Sequence, residues 1–182
     1  MKSVIAMVLL AALLAGCGGP PMGPAEPGGP PPPPVAYGPA PGSVFRAGDF
    51  AWSTVPGPAS IVGAVTYHVG PLRYTCEGED VILTPHTPWT RRRMMILYGS
   101  DSSAAVPVEV VRTRIPSAPS GDYVRFVHKA VCAPDNHFVF NDLPDGVWFV
   151  ITVARPLGGG GRRIAVMRRV ETHGGQRFVS LN

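Results

Sequence analysis

Phe138-Val139-Phe140-Asn141-Asp142-Leu143-Pro144-Asp145-Gly146-Val147-Trp148-Phe149-Val150 is the stretch on which the fold turns. Phe138 and Phe140 fall on one face of a strand, and Val147 to Ala154 is a nearly continuous run of strand formers suited to a sandwich centre. Between them, Asn141 to Gly146 reads as a turn, in which Pro144 sets φ and Gly146 permits a positive φ. Phe138, Phe140, Trp148 and Val150 are then expected to project inward from two antiparallel neighbours. Each is worth roughly 1.5–3 kcal/mol of apolar burial, which makes them core rather than a ligand box.

Working outward, the same period continues. Gly158 to Gly161 is expected to join that run to Arg162–Glu171 as a hairpin, and His173-Gly174-Gly175 to turn into a last short strand, Arg177 to Leu181. Upstream, Ser60 to His68, Val81 to Thr84 and Val106 to Ile115 read as strands, the last with an edge-type Pro107. Tyr123 to Cys132 places Val124, Phe126, His128, Ala130 and Cys132 on one face. One helix is predicted over Trp89 to Tyr98, with Thr87 as N-cap, Pro88 at N1 and Gly99 as the terminal glycine. About seven short strands and one helix make an all-β, antiparallel sandwich.

Three stretches in order resemble a known family. Ser60-Ile61-Val62-Gly63-Ala64-Val65 looks like the opening strand of carboxypeptidase regulatory-like domains, which are transthyretin-like (prealbumin-like) sandwiches. Val81-Ile82-Leu83-Thr84-Pro85 is similar to the family's V-x-L-x-P strand, and Phe138 to Val150 resembles its F-x-F-x-x-L-P-x-G-x-Y-x-V signature, with Trp148 at the usual tyrosine. The resemblance covers about Ser60 to Asn182 and diverges from His86 to Pro134. It implies a non-catalytic accessory module and brings no catalytic residues.

The chain of 182 residues carries 22 Gly and 22 Pro and only 15% charged residues, which excludes a multi-domain enzyme and a polytopic membrane protein. Much of that Gly and Pro lies near the start. Met1-Lys2-Ser3 is a short basic opening and Val4 to Leu14 an apolar run, at about 16 Å of helix too short to span a bilayer. It fits a secretory signal. Leu14-Ala15-Gly16-Cys17 resembles the lipobox of bacterial lipoproteins, which implies acylation of Cys17 and stable attachment to the membrane. Gly18, in place of the aspartate linked to inner-membrane retention, implies the outer membrane, facing the periplasm or the surface. From Gly18 to Ser43 the chain is mostly Gly and Pro, including Pro30 to Pro34, and reads as a disordered spacer. The expected organisation is a signal at 1–16, a lipidated cysteine and linker at 17–43, and a sandwich domain at 44–182.

Cys76 and Cys132 remain after Cys17. The oxidising compartment favours a disulfide between them, with two free buried thiols as the alternative, since Cys132 lies on an apolar strand face. No H-E-x-x-H, C-x-x-C, G-x-S-x-G or phosphate-loop motif occurs in the chain. No catalytic residue and no cofactor is assigned. His86, Asp135 and His137 have the chemistry of a metal site but no diagnostic spacing. Arg91, Arg92 and Arg93 form a basic cluster, read either as a solvated surface or as a contact for anionic headgroups, phosphates or acidic glycans. A nucleic-acid partner does not suit the compartment. The expected function is therefore a lipid-anchored envelope protein whose sandwich binds or scaffolds an envelope protein or glycan. The alternative is a small metal-dependent envelope protein or enzyme built on His86, Asp135 and His137.

Overall fold

The computed structural model describes residues 39–115 and 121–182; the predicted signal, Cys17 and most of the predicted spacer lie outside the described residues. In chain order the strands are β1 (Ala59–Val65), β2 (His68–Val69), β3 (Leu72–Thr75), β4 (Asp80–Pro85), β5 (Ser103–Pro107), β6 (His128–Val131), β7 (His137–Leu143), β8 (Gly146–Pro156), β9 (Ile164–Thr172) and β10 (Gly175–Leu181). Helices α1 (Pro88–Tyr98) and α2 (Val108–Thr113) flank β5, and 3-10 turns occupy Ala47–Thr54 and Gly121–Phe126.

Two sheets face each other, as expected of an all-β sandwich. The smaller runs β10-β1-β7, and the larger is built on β8, with β9 on one side and β4 and then β3 on the other. β6 continues the larger sheet from β4, β5 from β9, and β2 from β3. The alternating burial of β1, with Ala59, Ile61, Gly63 and Val65 inward, is the period of two that the sequence displays. Gly63 is demanded by packing: a Cβ there would lie 2.1 Å from the Phe138 ring and 2.8 Å from Val179.

The deciding stretch behaves as predicted in burial but not in pairing. Phe138, Phe140, Trp148 and Val150 are all buried. β7, however, runs on through Asn141 and Asp142 to Leu143, and it pairs with β1 while β8 pairs with β4 and β9. Pro144 and Asp145 thus carry the chain from one sheet to the other, so Phe138 and Phe140 enter the shared core from the smaller sheet and Trp148 and Val150 from the larger. Thr172, fully buried on β9, donates to the Pro144 carbonyl at 2.9 Å and accepts from the Trp148 indole N–H at 3.2 Å, which ties the crossing to the larger sheet.

Other expectations need correction. The structure has ten strand segments and two helices among the described residues rather than about seven and one. It is not wholly antiparallel either, because β10 returns to pair parallel with β1. The strand predicted from Val106 ends at Pro107. Its partner β9 begins at Ile164, so beyond Pro107 the backbone has no strand to pair with, and Val108–Thr113 satisfies itself as a helix despite three valines. The strand predicted from Tyr123 begins only at His128. Residues Gly121–Phe126 form a 3-10 turn, whose period of three turns Tyr123 and Phe126 to the same side, into rings contributed by Phe45, Phe50 and Trp89. That aromatic cluster holds the turn at Ala47–Thr54 and the start of α1 together.

α1 matches its prediction. Thr87 and Thr90 form a reciprocal capping box, Pro88 stands in the first turn, and Gly99 closes the helix at φ 74°. Its Met94 packs with Phe149 and Met167 on the outer face of the larger sheet, a second small core. Residues 39–43, assigned to the spacer, turn against this helix start: a Cβ on Gly42 would lie 2.1 Å from the Pro88 carbonyl oxygen. No helix among the described residues is long and apolar enough to cross a membrane.

Candidate functional site

At one end of the sandwich, β1 ends beside the β2–β3 hairpin and the turn between β6 and β7. These segments surround an open groove of about 520 Å³ lined by Thr66, Tyr67, His68, Arg73 and Asn136, with Leu157 beside Arg73. The hairpin forms because Gly70, at φ 56°, and Pro71 reverse the chain between two very short strands. Tyr67 is half-buried, held edge-to-face against the buried Tyr74 at 4.9 Å, while His68 and Arg73 are exposed. Asn136 is the anchor. Its backbone adopts φ 68°, and its amide oxygen accepts from the Thr75 hydroxyl at 2.6 Å and the Cys76 N–H at 3.1 Å. The side-chain oxygen is thereby occupied, and the amide NH₂ group remains as a donor.

Behind the groove lies the disulfide. Cys76 and Cys132 are bonded, both buried, with Cα atoms 5.7 Å apart. The bridge pins the loop between β3 and β4 to the end of β6, and Cys132 N–H donates to the Glu79 carbonyl at 3.0 Å in the same corner. The groove is therefore an aromatic ring with a guanidinium, an imidazole and an amide around it, set on a cross-linked base. The sequence reading passed over Tyr67, Arg73 and Asn136, which carry no motif. The available signal was the short turn Val69-Gly70-Pro71 next to two tyrosines.

The proposed metal ligands do not come together. Asp135 and His137 are neighbours, with the imidazole Nδ1 3.3 Å from the carboxylate and both groups exposed. They follow β6, whose Val131 pairs with Asp80 at the start of β4, whereas His86 follows Pro85 at its other end. At about 3.3 Å per residue, six residues of strand separate the two ends by about 20 Å. No group of three potential ligands gathers among the described residues.

His86 has a different environment from the one imagined for it. Its ring packs on Phe149 at 5.2 Å, and its Nε2 is buried without a hydrogen-bond partner among the described residues. Burial first, and then the nearby charge of Arg169, hold its pKa below the ordinary imidazole value; its own backbone opposes them, Arg91 adds a smaller lowering, and Asp101 a still smaller rise. A base whose folded pKa is depressed stays neutral in the fold while the unfolded chain takes up a proton. Stability from this site is therefore complete above about pH 6.5 and falls as pH drops from there toward the folded value. Denaturant midpoints measured between pH 7.5 and 5 should decline in the wild-type protein and decline less in His86→Phe. Equal slopes would exclude the assignment.

The three arginines of α1 are not equivalent. Arg91 bonds Asp101 through Nε at 2.5 Å, which holds that carboxyl below its usual range, and Arg93 lies 5.5 Å over the Trp89 ring. Arg92 is exposed. Being consecutive, they spread around the helix rather than along one face. His128 is half-buried, 5.5 Å from the Trp148 ring.

No family model matches the chain, and no curated protein matches it. Among solved structures, a crystal structure of a candidate carbohydrate binding protein from Pseudomonas aeruginosa is similar, with a TM-score of 0.52 and 16% identity. The match covers 75% of this chain and 96% of that one. At that identity the likeness is one of fold: the chain shares its β-sandwich with that protein.

Proposed function

We propose that this chain is a lipid-anchored protein of the bacterial envelope whose sandwich is a non-catalytic glycan-binding module, with the groove around Tyr67 as its site. The observation that carries the reading is the groove itself. A half-exposed phenol offers a flat face for the C–H surface of a sugar ring, and Arg73, His68 and the Asn136 amide offer polar groups suited to hydroxyl pairs. The name of the Pseudomonas aeruginosa protein supports the same ligand class. Anchoring at Cys17 and placement in the outer membrane rest on Leu14-Ala15-Gly16-Cys17 and Gly18, and the accessory-module reading on the resemblance to carboxypeptidase regulatory-like domains.

The test is a titration of the isotope-labelled full chain, made soluble by Cys17→Ser, with neutral and acidic oligosaccharides. At least one saccharide should move the amides of Tyr67, Arg73 and Asn136. Tyr67→Ala should then weaken binding about tenfold, equivalent to about 1.4 kcal/mol. Arg73→Ala, at an exposed position that disturbs no packing, should weaken it as well. Saturable binding that ignores both substitutions, or no response in the groove to any saccharide, would overturn the assignment.

A further inference from the structure

We propose that the open seam between β9 and β10 receives an extended acidic segment of a partner protein as an added strand. Parity along β10 supplies the first argument. Thr66 N–H donates to the Leu181 carbonyl at 2.8 Å, so Leu181, Val179 and Arg177 turn their backbone groups toward β1. Gln176, Phe178 and Ser180 therefore turn theirs to the free edge. Among the described residues, the Ser180 carbonyl is satisfied there, by the Arg168 guanidinium at 3.1 Å. On the opposite side, β5 pairs with β9 only as far as Arg168, and Arg169 N–H closes onto the Ser102 carbonyl, which among the described residues leaves the edge of β9 uncovered from Val170.

Between these edges lies a cleft of about 270 Å³ lined by Arg168, Arg169, Arg177 and Phe178, and another of about 240 Å³ beside it at His173 and Gln176. None of the three arginines is in an ion pair among the described residues. The single carboxylate in the lining, Glu171, lies 3.1 Å from His173. The seam is a backbone template with an excess of positive charge.

The two faces of β10 differ. Val179 and Leu181 are buried, so Arg177 shares their side, next to Arg168. Phe178 points the other way and is 71% exposed, in register with Val62 and, beyond it, with Val139. An added strand thus meets guanidinium groups on one face and an apolar row on the other, which calls for alternating acidic and apolar residues. A second copy of this chain fits less well. An antiparallel β10 pair centred on Phe178 sets Arg177 against Val179 of the other copy and beside its Arg168, and Glu171, already beside His173, is the one carboxylate each copy's cleft brings to these guanidinium groups. A glycan has no backbone N–H and C=O groups at strand spacing.

The probe is a blocked heptapeptide of alternating glutamate and valine, added to the labelled Cys17→Ser chain. A control peptide has four glutamates followed by three valines. The alternating peptide should shift the Gln176 and Phe178 amides, slow their hydrogen exchange, and bind more weakly as salt rises. Arg177→Glu should weaken binding about fivefold or more. Gln176→Pro removes an edge N–H without touching the β1 pairing and should abolish the exchange protection. Tyr67→Ala should leave peptide binding unchanged, which separates this surface from the groove. Equal binding of the control peptide, a silent β10, or β10 shifts that arise from self-association without peptide would each overturn the proposal. So would β10 shifts given by polygalacturonate and not by the peptide.

Discussion

Replacing Trp148 with alanine is expected to destabilise the protein by about 3–5 kcal/mol, read as a lowered denaturant midpoint. Trp148 is fully buried, with Trp52 at 4.9 Å on one side and His128 at 5.5 Å on another. Its removal leaves a cavity bounded by both sheets, because β7 and β1 approach from one side and β4 and β9 flank it on its own. It also removes the indole donor from Thr172, the residue that holds the chain where it crosses between the sheets. Trp148→Phe retains most of the volume and should cost clearly less. If the alanine variant lost under about 1 kcal/mol, the core would not be organised around this ring.

Breaking the Cys76–Cys132 bridge is the second large effect. The two cysteines are 56 positions apart, and in the chain-entropy model such a link is worth about 4 kcal/mol, within a usual range of about 2–5 for a native bridge. The paired Cys76→Ala, Cys132→Ala variant should therefore unfold at lower denaturant, and reductant should destabilise the wild type to a similar degree while leaving the variant unchanged. The consequence reaches the groove. Asn136 holds the Cys76 N–H and the Thr75 hydroxyl, so a loosened Cys76 loosens the side chain that lines the proposed saccharide site. Saccharide affinity should fall together with stability in this variant, whereas Tyr67→Ala should lower affinity with a smaller loss of stability.

Local chemistry made much of this molecule legible from residues alone. The Thr87-Pro88 start and Gly99 stop of α1 are contained within the helix and its caps, so no distant contact was needed to place them. Likewise Gly158–Gly161 joins β8 to β9 as an antiparallel pair, since a hairpin depends on its own turn and the strands beside it. The burial of Phe138, Phe140, Trp148 and Val150 followed from period and hydrophobicity, which hold whichever strands happen to be neighbours.

Where two distant segments compete for the same backbone, reading along the chain loses its hold. Val108 to Thr113 is strand-like in composition and helical in fact, because β9 offers it no partner. Tyr123 and Phe126 left the strand pattern for an aromatic cluster whose other members, Phe45, Phe50 and Trp89, lie far away in sequence. His86 and His137 were joined on chemistry and parted by the length of β4. The groove and the seam were invisible for the same reason: each is assembled from segments whose proximity is created by sheet order, through the parallel return of β10 to β1 and the disulfide corner between β3 and β6. Sequence by itself determined the caps of α1, the β8–β9 hairpin and the burial of Phe138, Phe140, Trp148 and Val150, since those follow from short-range sterics and from the transfer of apolar side chains out of water. Only the tertiary structure decided which edges stay open and which side chains share a cavity, because those depend on non-local pairing that no short window of residues contains.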